Sequence, residues 1–262
     1  MRAPPSERPV IVELPAISAD TLERLRSRRP RVHCITNAVA QNFTANVLLA
    51  VGAVPSMTIA QGEIRAFVAR ADALLVNLGT FDPERQKASL AAVATAAKAG
   101  IPWVLDPVFI DRSPKRATFA RTLAAKAPRA IRLNRAEFEA LAKGAADDAA
   151  IARYAKARRT VIGLTGERDI VRDATRLATI ANGDPLMGQV TAMGCAGSAL
   201  LAACLAVEAD PWSATAAALV VFGIAGELAA ARARGPGSFA MEILDAIHGL
   251  EPATVIARAR VR

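Results

Sequence analysis

Ala73-Leu-Leu-Val-Asn-Leu78 is apolar at five of its six positions and shows no alternation. A strand of that kind must be covered on both faces, as in a parallel sheet sandwiched between helices. The flanking sequence supplies the helices. Upstream, residues 42–51 carry a helical apolar pattern that ends at Gly52. Downstream, Asp82-Pro83 opens a long helix, with Asp as the cap and Pro in the first turn, and Gly100 stops it. Further strands are expected at 32–35, 102–105, 130–133 and 160–164, with helices over 114–126 and from Asn134. A strand-rich patch over 168–181 and a short extended piece at Gln189-Val190 lead into helices at 194–207, 212–234 and 239–249. Strands alternating with helices imply right-handed βαβ units, so the expected fold is α/β, a mostly parallel central sheet flanked by helices on both faces.

Residues 1–17 read as an extended N-terminal arm, and Ser18 or Asp20 as the cap of a helix that Pro30 stops. Residues 18–262 show no repeat, linker or change of composition, so they are expected to form one domain.

Composition narrows the class of function. The net charge of +9 invites a nucleic-acid partner, but aromatic residues are only 4% and the basic residues are dispersed. The densest basic run, Arg24, Arg26, Arg28, Arg29 and Arg31, sits at a helix C-terminus, where cations are favoured anyway. No nucleic-acid partner is expected. The longest apolar run, 214–226, is 13 residues, below the roughly 20 that a membrane span needs, and reads as a buried helix. Cys34, Cys195 and Cys204 are odd in number and lack paired or metal-ligating spacing, which points to a reducing compartment. The first residues, Met1-Arg-Ala-Pro-Pro-Ser-Glu-Arg-Pro9, lack the apolar core of a signal peptide, so a cytoplasmic protein is expected.

The segment with the clearest chemistry is Val190-Thr-Ala-Met-Gly-Cys-Ala-Gly-Ser198, which runs into an apolar helix. Small residues at a helix start leave backbone N–H groups unpaired at the positive end of the helix dipole, a setting that suits a phosphoryl group. A small-residue turn that lets a helix pack closely reads the same way. In such sheets ligands bind beyond the carboxyl ends of the strands. The residues placed there are Thr36 and Asn37, Gly79 and Thr80, Asp106, Asn134 and Glu137, and Thr165 and Gly166, with Arg132 on the same rim. Each has a duller role: Asp106-Pro107 as a turn, Asn134-Arg-Ala-Glu137 as a capping box, Thr165-Gly166 as a turn. Together, two carboxylates, three Thr hydroxyls, an arginine and an anion-cradling helix start suit phosphoryl transfer with Mg²⁺.

These residues resemble the hydroxyethylthiazole kinase family of the ribokinase-like superfamily. The matching segments are Val32-His-Cys-Ile-Thr-Asn37, Gln41-Asn-Phe-Thr-Ala-Asn-Val-Leu-Leu-Ala50, Gly52-Ala-Val-Pro-Ser-Met57, Leu75-Val-Asn-Leu-Gly-Thr80, Val104-Leu-Asp-Pro-Val108, Ile131-Arg-Leu-Asn134 with Glu137, Leu164-Thr-Gly-Glu167 and Gly194-Cys195. They run in family order over roughly residues 20–250. The resemblance implies ATP-dependent phosphorylation of the primary hydroxyl of 4-methyl-5-(2-hydroxyethyl)thiazole, a thiamine salvage step. It implies that Met57 and Asn37 line the thiazole pocket with Gly79 nearby, and that Arg132 and Thr165 hold the ATP phosphates. Asp106 and Glu137 would hold Mg²⁺, partly through water. Gly194 and Cys195 would form the anion hole and face the hydroxyl, and superfamily relatives carry an Asp base at the Cys195 position. A homotrimer with sites at subunit interfaces is also implied.

Two departures fall at the site. Where the family shows Gly-Thr-Gly or Gly-Ala-Gly before the cysteine, this chain has Ala192-Met193-Gly194, and a Cβ at 192 is disfavoured if φ is positive. The loop after Asp-Pro-Val, Gly-rich in the family, is Phe109-Ile-Asp-Arg112. A ribokinase-like kinase for another small heteroaromatic alcohol and a catalytically weak metabolite-binding relative are the alternative expectations. Only the Ala192-Met193 departure favours the last.

Overall fold

A computed structural model describes residues 11–262. One sheet of eight strands organises them, in the spatial order β2-β1-β3-β4-β5-β6-β7-β8. The strands are β1 (Arg31–Ile35), β2 (Val54–Ser56), β3 (Ala73–Asn77), β4 (Trp103–Asp106), β5 (Ala130–Asn134), β6 (Val161–Thr165), β7 (Asp169–Arg172) and β8 (Leu177–Ile180). Strands β1 to β6 pair in parallel, and β7 and β8 close one edge as an antiparallel hairpin.

The absence of alternation in β3 has the cause read from the sequence. Leu75 points to one buried layer and Leu74 and Val76 to the other, and Val104 and Leu105, Ala130 and Ile131, and Val161 and Ile162 divide in the same way. The first layer holds α1 (Leu14–Arg28), α2 (Gln41–Ala50), α8 (Met193–Val207), α9 (Pro211–Ala230), α10 (Pro236–Gly249) and α11 (Pro252–Arg258). The second holds α3 (Ile64–Ala69), α4 (Pro83–Ala99), α5 (Pro114–Ala124), α6 (Arg135–Ala142) and α7 (Asp148–Arg158). Helix α4 starts and stops as expected: the Asp82 carboxylate accepts the Arg85 N–H, and Gly100 takes φ +70°.

Three expectations need correction. The first ten residues of the expected arm lie outside the described residues, but 11–17 are helical: a single turn, Ile11–Glu13, leads into α1 at Leu14. The apolar face decides this, because Leu14, Leu22 and Leu25 are all buried in the core that α9 shares. Ser18 is not a cap. Its hydroxyl donates back to the Leu14 carbonyl at 2.7 Å. Gln189-Val190 is not a strand, since Pro185–Gln189 forms a short 3-10 turn capped by Asp184. The sequence reading also passed over β2, α3 and α11, which are three to seven residues long.

Helix α9 is 20 residues long, and by length and composition alone it could cross a membrane. Its side chains are instead buried against α1, α8 and α10. His33 is a satisfied structural histidine: Nδ1 meets Ser56 Oγ at 2.8 Å and Nε2 the Thr58 carbonyl at 3.0 Å, which ties β1 to the chain after β2.

Candidate active site

The carboxyl ends of β1, β3, β4, β5 and β6 share one rim, and register brings the polar residues together there. Asn77, the last residue of β3, is in register with Asp106, the last of β4, and Asn134 with Thr165. Asn77 is the hub. Its Nδ2 donates to Asp106 Oδ2 at 2.8 Å, and its Oδ1 accepts from Asn37 Nδ2 at 3.1 Å and from the Gly79 N–H at 3.0 Å. Asn37 Nδ2 also lies 3.2 Å from Cys195 Sγ, and Asn37 Oδ1 accepts the Ala40 N–H at 3.0 Å. A chain of amides thus links the cysteine at the start of α8 to the carboxylate at the end of β4. Gly79 is required for this: a Cβ there would lie 2.7 Å from Asn37 Nδ2.

Burial sets the electrostatics. It pushes the Asp106 carboxyl up to about 6; the Arg132 charge opposes the shift, the Glu137 charge adds to it, and hydrogen bonds from Ser198 and Asn77 oppose it. Burial also pushes the half-buried Cys195 thiol up to about 11, and Asp106 adds to that shift. The helix start therefore does not produce a thiolate, and Cys195 is a neutral thiol at ordinary pH.

Glu137 takes the capping role read for it in sequence. The capping box is complete: Asn134 Oδ1 accepts the Glu137 N–H at 2.9 Å, and Glu137 Oε2 accepts the Asn134 N–H at 2.9 Å. Its other oxygen, Oε1, accepts the Phe109 N–H at 2.7 Å. Each carboxylate oxygen thus has one backbone donor, while the residue still lines the cleft with Asp106.

The loop after β4 is held in an unusual shape. Val108 and Phe109 take φ +28° and +55°, and Arg116 Nη1 donates to the Val108 carbonyl at 2.9 Å. Ala192, just before α8, takes φ +69° and ψ −5°. Both departures from the glycine-rich pattern therefore keep a glycine-like backbone with a Cβ attached, a conformation that L residues adopt at some expense. The Met193 side chain is buried in the core.

Two clefts of about 610 Å³ each meet at this rim. The first is edged by Asn37, Gly79, Asp106, Glu137 and Cys195. The second is edged by Asn182, Gly183, Leu219, Phe222 and Gly223. Arg132, Thr165, Met187, Gly188, Met193 and Gly194 line both. Arg132 makes no ion pair among the described residues, its Nε is buried without a partner, and Nη1 donates to the Gly194 carbonyl at 2.8 Å. No side chain caps the start of α8. An unpaired guanidinium and uncapped backbone N–H groups at the junction of two clefts suit an anion that reaches from one into the other.

Of the residues singled out in sequence, Asn37, Gly79, Asp106, Arg132, Glu137, Thr165, Gly194 and Cys195 all line this pair of clefts. Met57 does not line them; it packs half-buried against the core of the first helical layer. Two features were missed. Asn77 was visible as the lone polar residue in an apolar strand, and the wall formed by Asn182 and Met187 had no local signal.

Comparison with known proteins agrees with the geometry. The model of the hydroxyethylthiazole kinase family matches residues 22–253. A protein of Agrobacterium fabrum described as a probable hydroxyethylthiazole kinase is 44% identical over 246 residues, which cover 94% of this chain and 95% of that one. The solved structure of a hydroxyethylthiazole kinase protein from Pyrococcus horikoshii superposes with a TM-score of 0.90 at 35% identity, covering 94% of this chain and 98% of that one. A ribokinase-like superfamily protein of Enterococcus faecalis shares the fold, with a TM-score of 0.68 at 15% identity over 89% of this chain and 95% of that one.

Proposed function

The chain belongs to the hydroxyethylthiazole kinase family, and on that premise we propose that it transfers the γ-phosphoryl group of ATP to the primary hydroxyl of 4-methyl-5-(2-hydroxyethyl)thiazole, a thiamine salvage reaction. The observation that carries this reading is the junction of the two clefts at Arg132 and the uncapped start of α8. The nucleotide occupies the Asn182–Phe222 cleft. The alcohol occupies the Asn37–Cys195 cleft, with Gly79 beneath it. Arg132 and Thr165 hold the phosphates between them, and Gly194 presents the helix start. Transfer forms a bond from the alcohol oxygen to the γ-phosphorus as the bond to the β,γ-bridging oxygen breaks, leaving ADP. Positioning and charge compensation account for most of such a reaction.

A neutral thiol takes up no proton, so Cys195 acts by holding the hydroxyl at the helix start. The proton leaves late, onto an oxygen of the transferred group, because a loose transition state needs little base help.

The donors suit a hard divalent cation that is bound largely by substrate. No trio of His, Cys, Asp or Glu among the described residues forms a ligand set, while two carboxylates edge the cleft. Mg²⁺ keeps several waters and draws ligands from phosphates. Asp106 would hold it, and Glu137, with a backbone donor on each oxygen, would do so through water. When bound, Mg²⁺ supplies positive charge to the β- and γ-phosphates.

A homotrimer in the cytoplasm is part of the proposal. Val39 edges the alcohol cleft yet is 71% exposed, and Leu49 of α2 and Val54 of β2 are also exposed. A neighbouring subunit there would cover them and place its own residues near Met57. All three cysteines are free, in keeping with a reducing compartment. Light scattering of the purified protein tests the trimer. ADP release across a panel of heteroaromatic alcohols tests the substrate: the thiazole alcohol should give the highest kcat/KM, and a different preferred alcohol would retune the assignment.

A further inference from the structure

Helix α9 carries two glycines on one face, Gly223 and Gly226, three residues apart in an otherwise well-packed helix. Interior glycines weaken a helix, so a packing reason is expected, and the segment 182–188 supplies it. A Cβ at Gly223 would lie 2.7 Å from the Asn182 carbonyl oxygen and 2.8 Å from its carbon, which are backbone atoms. A Cβ at Gly226 would lie 2.5 Å from Met187 Sδ, 3.1 Å from Cγ and 3.3 Å from Cε. The two contacts differ in what can yield. The Asn182 backbone is fixed, because its side chain donates to Glu227 and to the Arg258 carbonyl while accepting the Arg260 N–H. The Met187 side chain is an unbranched thioether that can turn away, and it lines both clefts.

We propose that Met187, seated in the notch left by Gly226, sets the depth of the nucleotide cleft and is a specificity-determining contact for the nucleotide. Leu219, Phe222 and Met193 complete the apolar wall to which it belongs. Gly226 itself does not line either cleft, so it acts as a positioning residue through Met187. The inference rests on the reading in which that cleft takes ATP.

The test is steady-state kinetics on Gly226→Ala, Met187→Ala and the double variant. Gly226→Ala adds one methyl group and drives the thioether into the cleft. The KM for ATP should rise about 5- to 150-fold, the range to which overpacking penalties convert, with kcat and the KM for the alcohol within about twofold. The melting temperature should not fall, since Ala is the better helix former. In the double variant the KM for ATP should return to the value of Met187→Ala alone, because the clashing side chain is gone. An unchanged KM for ATP in folded Gly226→Ala, or a double variant no better than Gly226→Ala, overturns the proposal. A rise confined to the KM for the alcohol instead overturns the assignment of the cleft to ATP and leaves the coupling of the two residues standing. If Gly226→Ala does not fold, Met187→Ala alone decides: it removes atoms without crowding the helix and, although Met187 touches both clefts, should shift the KM for ATP more than that for the alcohol. An unchanged KM for ATP, or a larger shift in the KM for the alcohol, overturns the proposal.

Discussion

Asp106 shows how the site is built against the interest of the fold. Its pKa is raised from the usual range near 4 to about 6, with burial as the main cause. Between those values the unfolded chain has released the proton and the folded chain has not. Stability contributed by this group is therefore lost as pH rises through about 4 to 6, and the loss is complete above that window. Asp106→Asn should accordingly be more stable than the wild type at pH 8, by about 1–3 kcal/mol, with the gap closing at pH 4.5. Denaturant titrations at the two pH values check this, and a variant less stable than wild type at pH 8 would contradict it. The same variant should lose nearly all activity. Ala192 carries a smaller strain of the same kind at φ +69°. Ala192→Gly should relieve it and gain about 0.5–1 kcal/mol, since the left-handed penalty exceeds the extra chain entropy of glycine. A fall in the melting temperature would show that the backbone there is not strained. For Cys195, a thiol held near 11 argues against a full base role. Cys195→Ala should lower kcat by about tenfold with little change in KM, well short of the losses seen when a true general base is removed.

At the scale of the element, α6 and the loop after β4 are joined by one carboxylate. Glu137 closes the capping box of α6 with Oε2 and pins the Phe109 N–H with Oε1. Glu137→Ala should therefore lower both stability, by about 0.5–2 kcal/mol, and turnover. Glu137→Gln keeps one acceptor for the cap but turns its NH2 toward the Phe109 N–H, so it should keep more stability than Glu137→Ala while losing turnover, through the loss of both the negative charge and the loop contact. Equal activity in Glu137→Gln and wild type would reduce the residue to a cap. Elements of this kind were legible in the sequence where the signal is local. The α4 boundaries followed from Asp82, Pro83 and Gly100, and the α6 start from Asn134 and Glu137. The start of α1 was not legible, because Leu14 is helical on account of what it packs against. The short β2 and α3 likewise owe their shape to neighbours in space, β2 to its pairing with β1.

Over the whole molecule, the two-layered α/β architecture could be read from strands that lack alternation, and the family from motifs lying along the rim. The convergence of those motifs could not, since it depends on register: Asn77 meets Asp106 only because β3 and β4 pair as they do. Nor could the second cleft, whose walls come from α9 and the 182–188 segment, far apart in sequence. In the proposed reaction the two clefts act together, with the phosphoryl group passing from nucleotide to alcohol at Arg132. Phosphorus NMR of the purified protein with ATP, Mg²⁺ and the thiazole alcohol tests it most directly. Phosphoryl transfer at Arg132 should give a phosphate monoester signal that grows in step with ADP, requires the alcohol, and is lost in Arg132→Ala. ATP hydrolysis to inorganic phosphate without any monoester, or a monoester formed equally well by Arg132→Ala, would contradict it.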